Sequence, residues 1–139
     1  MDFLIEPFRP SDIPEALELW RQVPGVGLGR GDTPPLLRVF LRWNEATSFV
    51  ARFDGRMVGA VLGGWDGRRG YIHHLAVRPD CQGRGLGTAL LDKTLASLGS
   101  LGALKVHMFV HVNNAKAIEF YRRNGWVWRD DLGMMSRDL

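Results

Sequence analysis

Three glycines at alternate positions separate an apolar run from an apolar helical pattern. Gly83, Gly85 and Gly87 follow residues 71–78, which predict a buried strand, and a helix is predicted to begin among them, near Leu86. Glycines leave backbone N–H groups uncovered by any Cβ, here where a helix has unpaired N–H donors and the positive end of its dipole. Such a turn can hold a diphosphate, although alternate glycines also occur in plain tight turns.

Two common phosphate motifs do not fit this turn. A P-loop has Lys and then Ser or Thr after its glycines, whereas Gly87 is followed by Thr88 and Ala89. A dinucleotide fingerprint has the spacing GxGxxG and an acidic residue about 20 residues further on. Here the spacing is GxGxG, and residues 104–108 contain no acid. The turn therefore indicates another phosphate-containing ligand.

Histidines and the single cysteine are the other residues that suggest chemistry. His107 and His111 share one face of a later predicted strand, and with His73 they raise the possibility of a metal site. Histidines four apart on a strand are separated by roughly 13 Å, too far for one ion, and no carboxylate or cysteine accompanies them. We therefore predict no metal. Cys81 has no histidine near it in sequence and is expected to be inert and reduced.

Two segments together resemble one protein family. The segment 82–87, QGRGLG, resembles the Q/R-x-x-G-x-G/A signature of the GNAT superfamily, the acyl-CoA-dependent N-acetyltransferases. A second segment is similar to the family pattern V-x-x-x-N-x-x-A-x-x-x-Y-x-x-x-G-aromatic, and it lies at the right distance downstream. Its matching residues are Val110, Asn114, Ala117, Tyr121, Gly125 and Trp126. The resemblance covers residues 50–128 well and the N-terminal third only by pattern.

The resemblance implies acetyl-CoA as co-substrate and places it along the strand and the turn. The backbone of Leu75 and Val77 is expected to pair with the pantetheine arm in a strand-like manner. The Arg84 charge is expected to assist in holding the diphosphate. The backbone N–H groups expected to face the diphosphate are those of Gln82, Gly83, Arg84, Gly85, Gly87 and Thr88.

In direct acetyl transfer the amine must lose a proton, the oxyanion must be stabilised, and the departing thiolate must be protonated or held. Tyr121 matches the family's tyrosine, and a phenol with a pKa near 10 suits protonation of the departing thiolate. Without the family context, Tyr121 would be interpreted as a half-buried aromatic residue on a helix. Asn114 is expected to bind the pantetheine, to cap the following helix, or to do both.

The base that deprotonates the amine is less clearly indicated. Many relatives carry a glutamate on the central strand, but residues 71–77 contain no acid. His73 shares the strand phase of Tyr71 and Leu75, in which some GNAT-like enzymes hold histidines that act on the amine through water. Deprotonation by bulk water, with His73 structural, is the alternative. By strand alternation, His74 is expected to point to the opposite face and to pack against the other layer.

These residues must be positioned by an α/β fold. The 139-residue length suits one domain, 1–139, and a helical crossover into the strand at 104–112 predicts a mixed sheet. We expect a GNAT-like single domain of about six to seven strands with four helices. The predicted strands are 3–8, 47–53, 57–65, 71–78, 104–112 and a closing hairpin of 126–129 and 133–137. The predicted helices are 12–22, 35–43, 86–98 and 114–124.

Composition narrows the functional classes. The net charge of +3 comes from scattered basic residues without aromatic interleaving, so we predict no nucleic-acid partner. No apolar run approaches the roughly 20 residues of a membrane span, so no membrane partner is expected. Asp2 and Glu6 interrupt the apolar N-terminus, so no signal peptide is predicted and a cytoplasmic location is expected.

The acceptor is not determined by the sequence. A protein N-terminus, a lysine or a small amine all remain open. The resemblance implies that residues 26–43 help to select the acceptor, and an ordinary connecting segment is the alternative. Asp32, Glu45 and Asp66 are candidates to attract a cationic acceptor, although each is also typical of a solvated loop. The alternative functions are a non-catalytic acyl-CoA-binding module and a basic nucleic-acid-binding domain. Monomer and homodimer both remain open.

Overall fold

The computed structural model describes residues 2–139, which form two compact units. One unit ends at Phe109 and contains the sheet and three helices, and the other runs from Val110 to Leu139 and contains one helix. That the whole chain is a single domain stays a prediction.

The sheet has five strands in the order of the sequence. The first four strands pair antiparallel and the fifth pairs parallel to the fourth, which confirms the mixed α/β class. The strands are β1 (Leu4–Pro7), β2 (Phe49–Phe53), β3 (Arg56–Trp65), β4 (Gly70–Val77) and β5 (Val106–Met108).

The four predicted helices are present. Two short 3-10 helices accompany them, at Pro10–Asp12 and Pro79–Cys81. The α-helices are α1 (Ile13–Gln22), α2 (Pro34–Trp43), α3 (Leu86–Ser100) and α4 (Ala115–Arg123).

Helices α1 and α2 cover one face of the sheet with apolar side chains at helical spacing. Leu17 and Trp20 of α1 and Leu37 and Leu41 of α2 are buried in one core cluster with strand residues such as Leu62. Trp20 is fully buried.

Arg52 of β2 fixes the start of α1 against the sheet. Its guanidinium donates to Glu6 at 2.9 Å, to Glu15 at 3.0 Å and to Asp12. The three carboxylates belong to β1 and to the start of α1, so these bonds join both elements to β2. Each bond is charge-assisted and therefore stronger than a bond between neutral groups.

Helix α3 approaches the other face closely because glycines line that face. A Cβ at Gly59 would lie 2.8 Å from Leu90 Cδ1, and one at Gly70 would lie 2.9 Å from Leu98 Cδ1. Both leucines are fully buried. The glycines therefore set the distance between α3 and the strands that precede it.

Two sequence predictions about strands are wrong. The strand predicted at 104–112 is only Val106–Met108, and within the described residues no strand forms after Met108. The closing hairpin predicted at 126–129 and 133–137 is absent because its residues lack a buried face: Val127 is 79% exposed and Met135 is 98% exposed. The sheet thus has five strands, fewer than the six to seven expected.

Among the described residues, none of the helices combines the length and apolar character required to cross a bilayer.

Candidate active site

The glycine turn before α3 is open on its outer side. Gly83 and Gly85 have φ values of +76° and +80°, a region that favours glycine, and Gly85 is the N-cap of α3. Apart from the glycine itself and its two chain neighbours, no heavy atom of the described residues lies within 4 Å of the position that a Cβ would take at either residue. A ligand can therefore approach this backbone directly.

The same turn presents unused hydrogen-bond donors. In the part of the chain that the structure describes, no hydrogen bond uses the N–H groups of Gly83, Arg84 or Gly85. The bond from Ala89 N–H to the Gly85 carbonyl, 3.0 Å, is the first of α3, so the N–H groups of residues 86–88 lack intrahelical acceptors. These donors lie at the positive end of the helix dipole, which suits an anion. Gly87 and Thr88 are among them, and that their N–H groups face a diphosphate stays a prediction.

The hydrogen bonds of Gln82 differ from the prediction that its backbone N–H faces the diphosphate. Its backbone N–H donates to the Pro79 carbonyl at 3.4 Å, within the preceding 3-10 helix. Its side-chain Nε2 donates to the Val77 carbonyl at 3.0 Å. Gln82 therefore ties the glycine turn to the end of β4.

Beyond its first three residues, β4 has an edge that β5 does not cover. The parallel pairing joins residues 70–72 to 106–108, whereas β4 continues to Val77. The Arg78 N–H donates to the Val58 carbonyl of β3 at 2.8 Å. Because successive N–H groups of a strand point to opposite edges, those of Val77 and Leu75 face the edge away from β3. This uncovered edge leads directly into the glycine turn.

A β-bulge interrupts β4 at His74. Ala60 pairs with Ala76 and Leu62 pairs with His73, so His74 and Leu75 together oppose a single residue of β3. His74 has a φ of +50°, in the left-handed region. The bulge shifts the side-chain alternation by one residue.

The shift overturns the prediction that His73 and His74 point to opposite faces. The His73 ring lies 5.9 Å from the Phe40 ring of α2, and the His74 ring lies 5.0 Å from the Trp20 ring of α1. Both imidazoles are therefore on the face that α1 and α2 cover.

His73 lies in an aromatic environment. Its ring is parallel to that of Tyr71, at an interplanar angle of 12° and a centroid distance of 6.3 Å, and meets Phe40 edge-on. Burial lowers the pKa of His73, the neighbouring His74 lowers it further, and Asp32 partly opposes this shift. His73 is therefore neutral near pH 7 and able to accept a proton.

His74 has two anchors that sequence reasoning missed. Its Nε2 lies 2.9 Å from Asp32 Oδ1, and its carbonyl accepts a hydrogen bond of 2.9 Å from Trp20 Nε1. Asp32 and Trp20 precede His74 by 42 and 54 residues, and no local pattern links such distant positions.

The second unit contains the two remaining predicted residues. Asn114 Oδ1 accepts a hydrogen bond from the Ala117 N–H at 3.2 Å, so Asn114 caps α4. Tyr121 contacts the Phe120 and Trp126 rings, with centroids 5.1 and 5.8 Å away. Burial raises the pKa of Tyr121 to about 12. Their roles toward a coenzyme stay predictions.

His107, His111 and Cys81 are the other residues considered for chemistry. His111 lies beyond the end of β5, and within residues 2–139 no cluster of three or more His, Cys, Asp or Glu side chains is arranged to hold a metal ion. Cys81 is buried in the 3-10 helix before the glycine turn.

Comparison with known proteins decides the family. Residues 14–126 match the model of the acetyltransferase (GNAT) family. The chain belongs to this family. Membership in the GNAT family implies acyltransferase activity and agrees with the strand, glycine turn and helix described above.

Solved GNAT-like structures have the same fold. The PaiA N-acetyltransferase of Thermoplasma acidophilum, in complex with coenzyme A, is 17% identical with a TM-score of 0.82, covering 96% of this chain and 94% of that one. Ard1 of Thermoplasma volcanium is 26% identical with a TM-score of 0.76, covering 91% and 84%. An aminoglycoside acetyltransferase from an uncultured soil sample, in complex with sisomicin, is 20% identical with a TM-score of 0.74, covering 99% and 96%.

Proposed function

We propose that this GNAT protein moves an acetyl group from acetyl-CoA to a primary amine by direct transfer. One observation carries the proposal: the uncovered edge of β4 runs into a turn whose N–H groups lack acceptors. A strand edge suits the amide-bearing pantetheine arm, and bare N–H groups at a helix start suit a diphosphate. Coenzyme A carries these two parts in this order.

Residues of β4, and Tyr121 of α4, have the properties that acyl transfer requires. N–H groups of Leu75 and Val77 face the uncovered edge, where one of them can hold the oxygen that becomes an oxyanion. His73 is neutral near pH 7 because its pKa is lowered, so it can take the proton of the ammonium through water. Tyr121 keeps its proton in this range, because its pKa is raised to about 12, and can give it to the thiolate.

The acceptor is proposed only as a class. The amine belongs either to a peptide, as an N-terminus or a lysine, or to a small molecule such as a polyamine or an aminoglycoside. The likeness to the sisomicin complex supports including aminoglycosides among the amines to be tested.

The test measures thiol release from acetyl-CoA in the presence of a panel of amines, with mass spectrometry of the acetylated product. The panel holds N-terminal peptides, a lysine peptide, spermidine and sisomicin. We expect at least one amine to accelerate thiol release above the hydrolysis rate. Coenzyme binding without turnover by any amine would instead support a non-catalytic acyl-CoA-binding module. Absence of coenzyme binding would overturn both.

A further inference from the structure

His74 is held from two sides in a conformation that its own backbone disfavours. A non-glycine residue is disfavoured in the left-handed region because its Cβ comes too close to the following carbonyl oxygen. The Trp20 indole N–H binds the His74 carbonyl at 2.9 Å, and the Asp32 carboxylate binds the imidazole at 2.9 Å. Both side chains of the Asp32–His74 pair are more than four-fifths buried. These contacts stabilise the bulge.

The peptide bond between His74 and Leu75 connects these two contacts to the uncovered edge of β4. In a trans peptide, the carbonyl of one residue and the N–H of the next point in opposite directions. The His74 carbonyl faces Trp20, so the Leu75 N–H is directed away from α1. Any rotation of His74 out of the left-handed region would turn this N–H.

Asp32 belongs to the interhelical loop, residues 23–33 between α1 and α2. Its Oδ2 accepts the Gly29 N–H at 2.8 Å, and its own N–H donates to the Gly29 carbonyl at 3.1 Å. Among the described residues, the bond to His74 is the only hydrogen bond from residues 24–32 to the sheet. Both carboxylate oxygens thus have donors within the protein, which disfavours Asp32 as the group that attracts a cationic acceptor.

We propose that Asp32 is a positioning residue for acyl transfer: through His74 it orients the Leu75 N–H toward the acyl carbonyl and couples the interhelical loop to that N–H. This inference rests on the proposed function. Asp32 itself touches no reacting atom. It acts by keeping the His74–Leu75 peptide in one orientation.

The first test is a double-mutant cycle of Asp32→Ala and His74→Asn. Asn tolerates the left-handed region but is too short to replace the imidazole. Each single variant should lower kcat by roughly tenfold, a fraction of the loss seen when an oxyanion donor is removed. The double variant should lose no more than either single variant, because both remove the same contact. Asp32→Asn, which keeps one acceptor oxygen, should have an intermediate rate, and the affinity for coenzyme A should stay within about twofold.

The second test needs no turnover. The Leu75 amide resonance is compared between complexes with acetyl-CoA and with coenzyme A, so that the difference reports the acyl carbonyl. We expect a difference in the native protein and its loss in Asp32→Ala. Asp66→Ala is the matched control, because Asp66 also accepts loop N–H groups, those of Arg68 and Arg69, but has no bond to β4.

The two proposals fail differently. If no amine is acetylated but the Leu75 difference is present and depends on Asp32, the proposed function fails, whereas the orientation of the Leu75 N–H by Asp32 stands. If Asp32→Ala retains the native kcat or the native Leu75 difference, or if the losses of the two single variants add, the positioning role is overturned.

Discussion

The imidazoles of His73 and His74 lie on the same face of the sheet, although the two residues are consecutive in a strand. The bulge places two residues of β4 opposite one residue of β3 and is responsible for this arrangement. One imidazole then contacts the rings of Phe40 and Tyr71, and the other binds Asp32. The irregular residue His74 thus places two imidazoles on one face of the sheet: that of His73, the candidate base, and its own, which binds Asp32 of the interhelical loop.

Replacing His73 should reduce the loss of stability in acid. Burial, and the neighbouring His74, lower the pKa of His73 below its ordinary value, with Asp32 opposing. The unfolded chain therefore binds more protons than the folded one near and below the ordinary histidine pKa of about 6.5. This contribution to stability is complete above that pKa and is lost as pH falls toward the lowered value. Urea unfolding at pH 7.5 and 5.0 should show a smaller loss for His73→Phe than for the native protein. Equal losses would contradict the shift.

Much of the site follows from local sequence. The strand, the glycine turn and the start of α3 are set by neighbouring residues. Asp54-Gly55 is a dipeptide typical of a two-residue hairpin turn, and both residues have the positive φ values that such a turn requires. The bulge depends on the register between β3 and β4, and register is a non-local property. The Asp32–His74 contact joins residues 42 apart and leaves no local signal. Apolar residues near the C-terminus have the spacing of a strand, but they are exposed and no strand forms there in the described residues.

Two adjacent glycines of β3 should respond very differently to alanine. A Cβ at Gly63 would lie 2.2 Å from the Thr47 carbonyl oxygen and 2.6 Å from Thr94 Cγ2, whereas one at Gly64 would be 3.4 Å from the Phe40 ring. Gly63→Ala should therefore lower the free energy of unfolding by about 3 kcal/mol, since backbone and α3 must both move. Gly64→Ala is the control and should change it by less than about 1 kcal/mol. Urea midpoints measure both, and similar values for the two variants would refute the close approach at Gly63.

A glutamate at Gly85 should abolish coenzyme binding. The side chain would occupy the open space over the turn and bring a negative charge to the N–H groups expected to hold the diphosphate. We expect at least a hundredfold weaker affinity, equivalent to about 3 kcal/mol, in calorimetric titration with coenzyme A. Gly67→Glu is the matched control, because Gly67 also has a positive φ, +93°, and an open outer side, but lies between β3 and β4. Native affinity in Gly85→Glu would place the diphosphate elsewhere.

Removing the Tyr121 hydroxyl should slow transfer without weakening coenzyme binding. Burial raises the pKa of Tyr121 to about 12, so the phenol holds its proton throughout the neutral range and can deliver it to a thiolate. Tyr121→Phe should lower kcat by about a hundredfold, which is typical for loss of a general acid, while the Kd for coenzyme A changes by less than about twofold. The other tyrosine, Tyr71, supplies the control: Tyr71→Phe keeps the ring parallel to His73 and should retain most of the rate. If the two variants have equal rates, the thiolate takes its proton from solvent and Tyr121 only packs against Phe120 and Trp126.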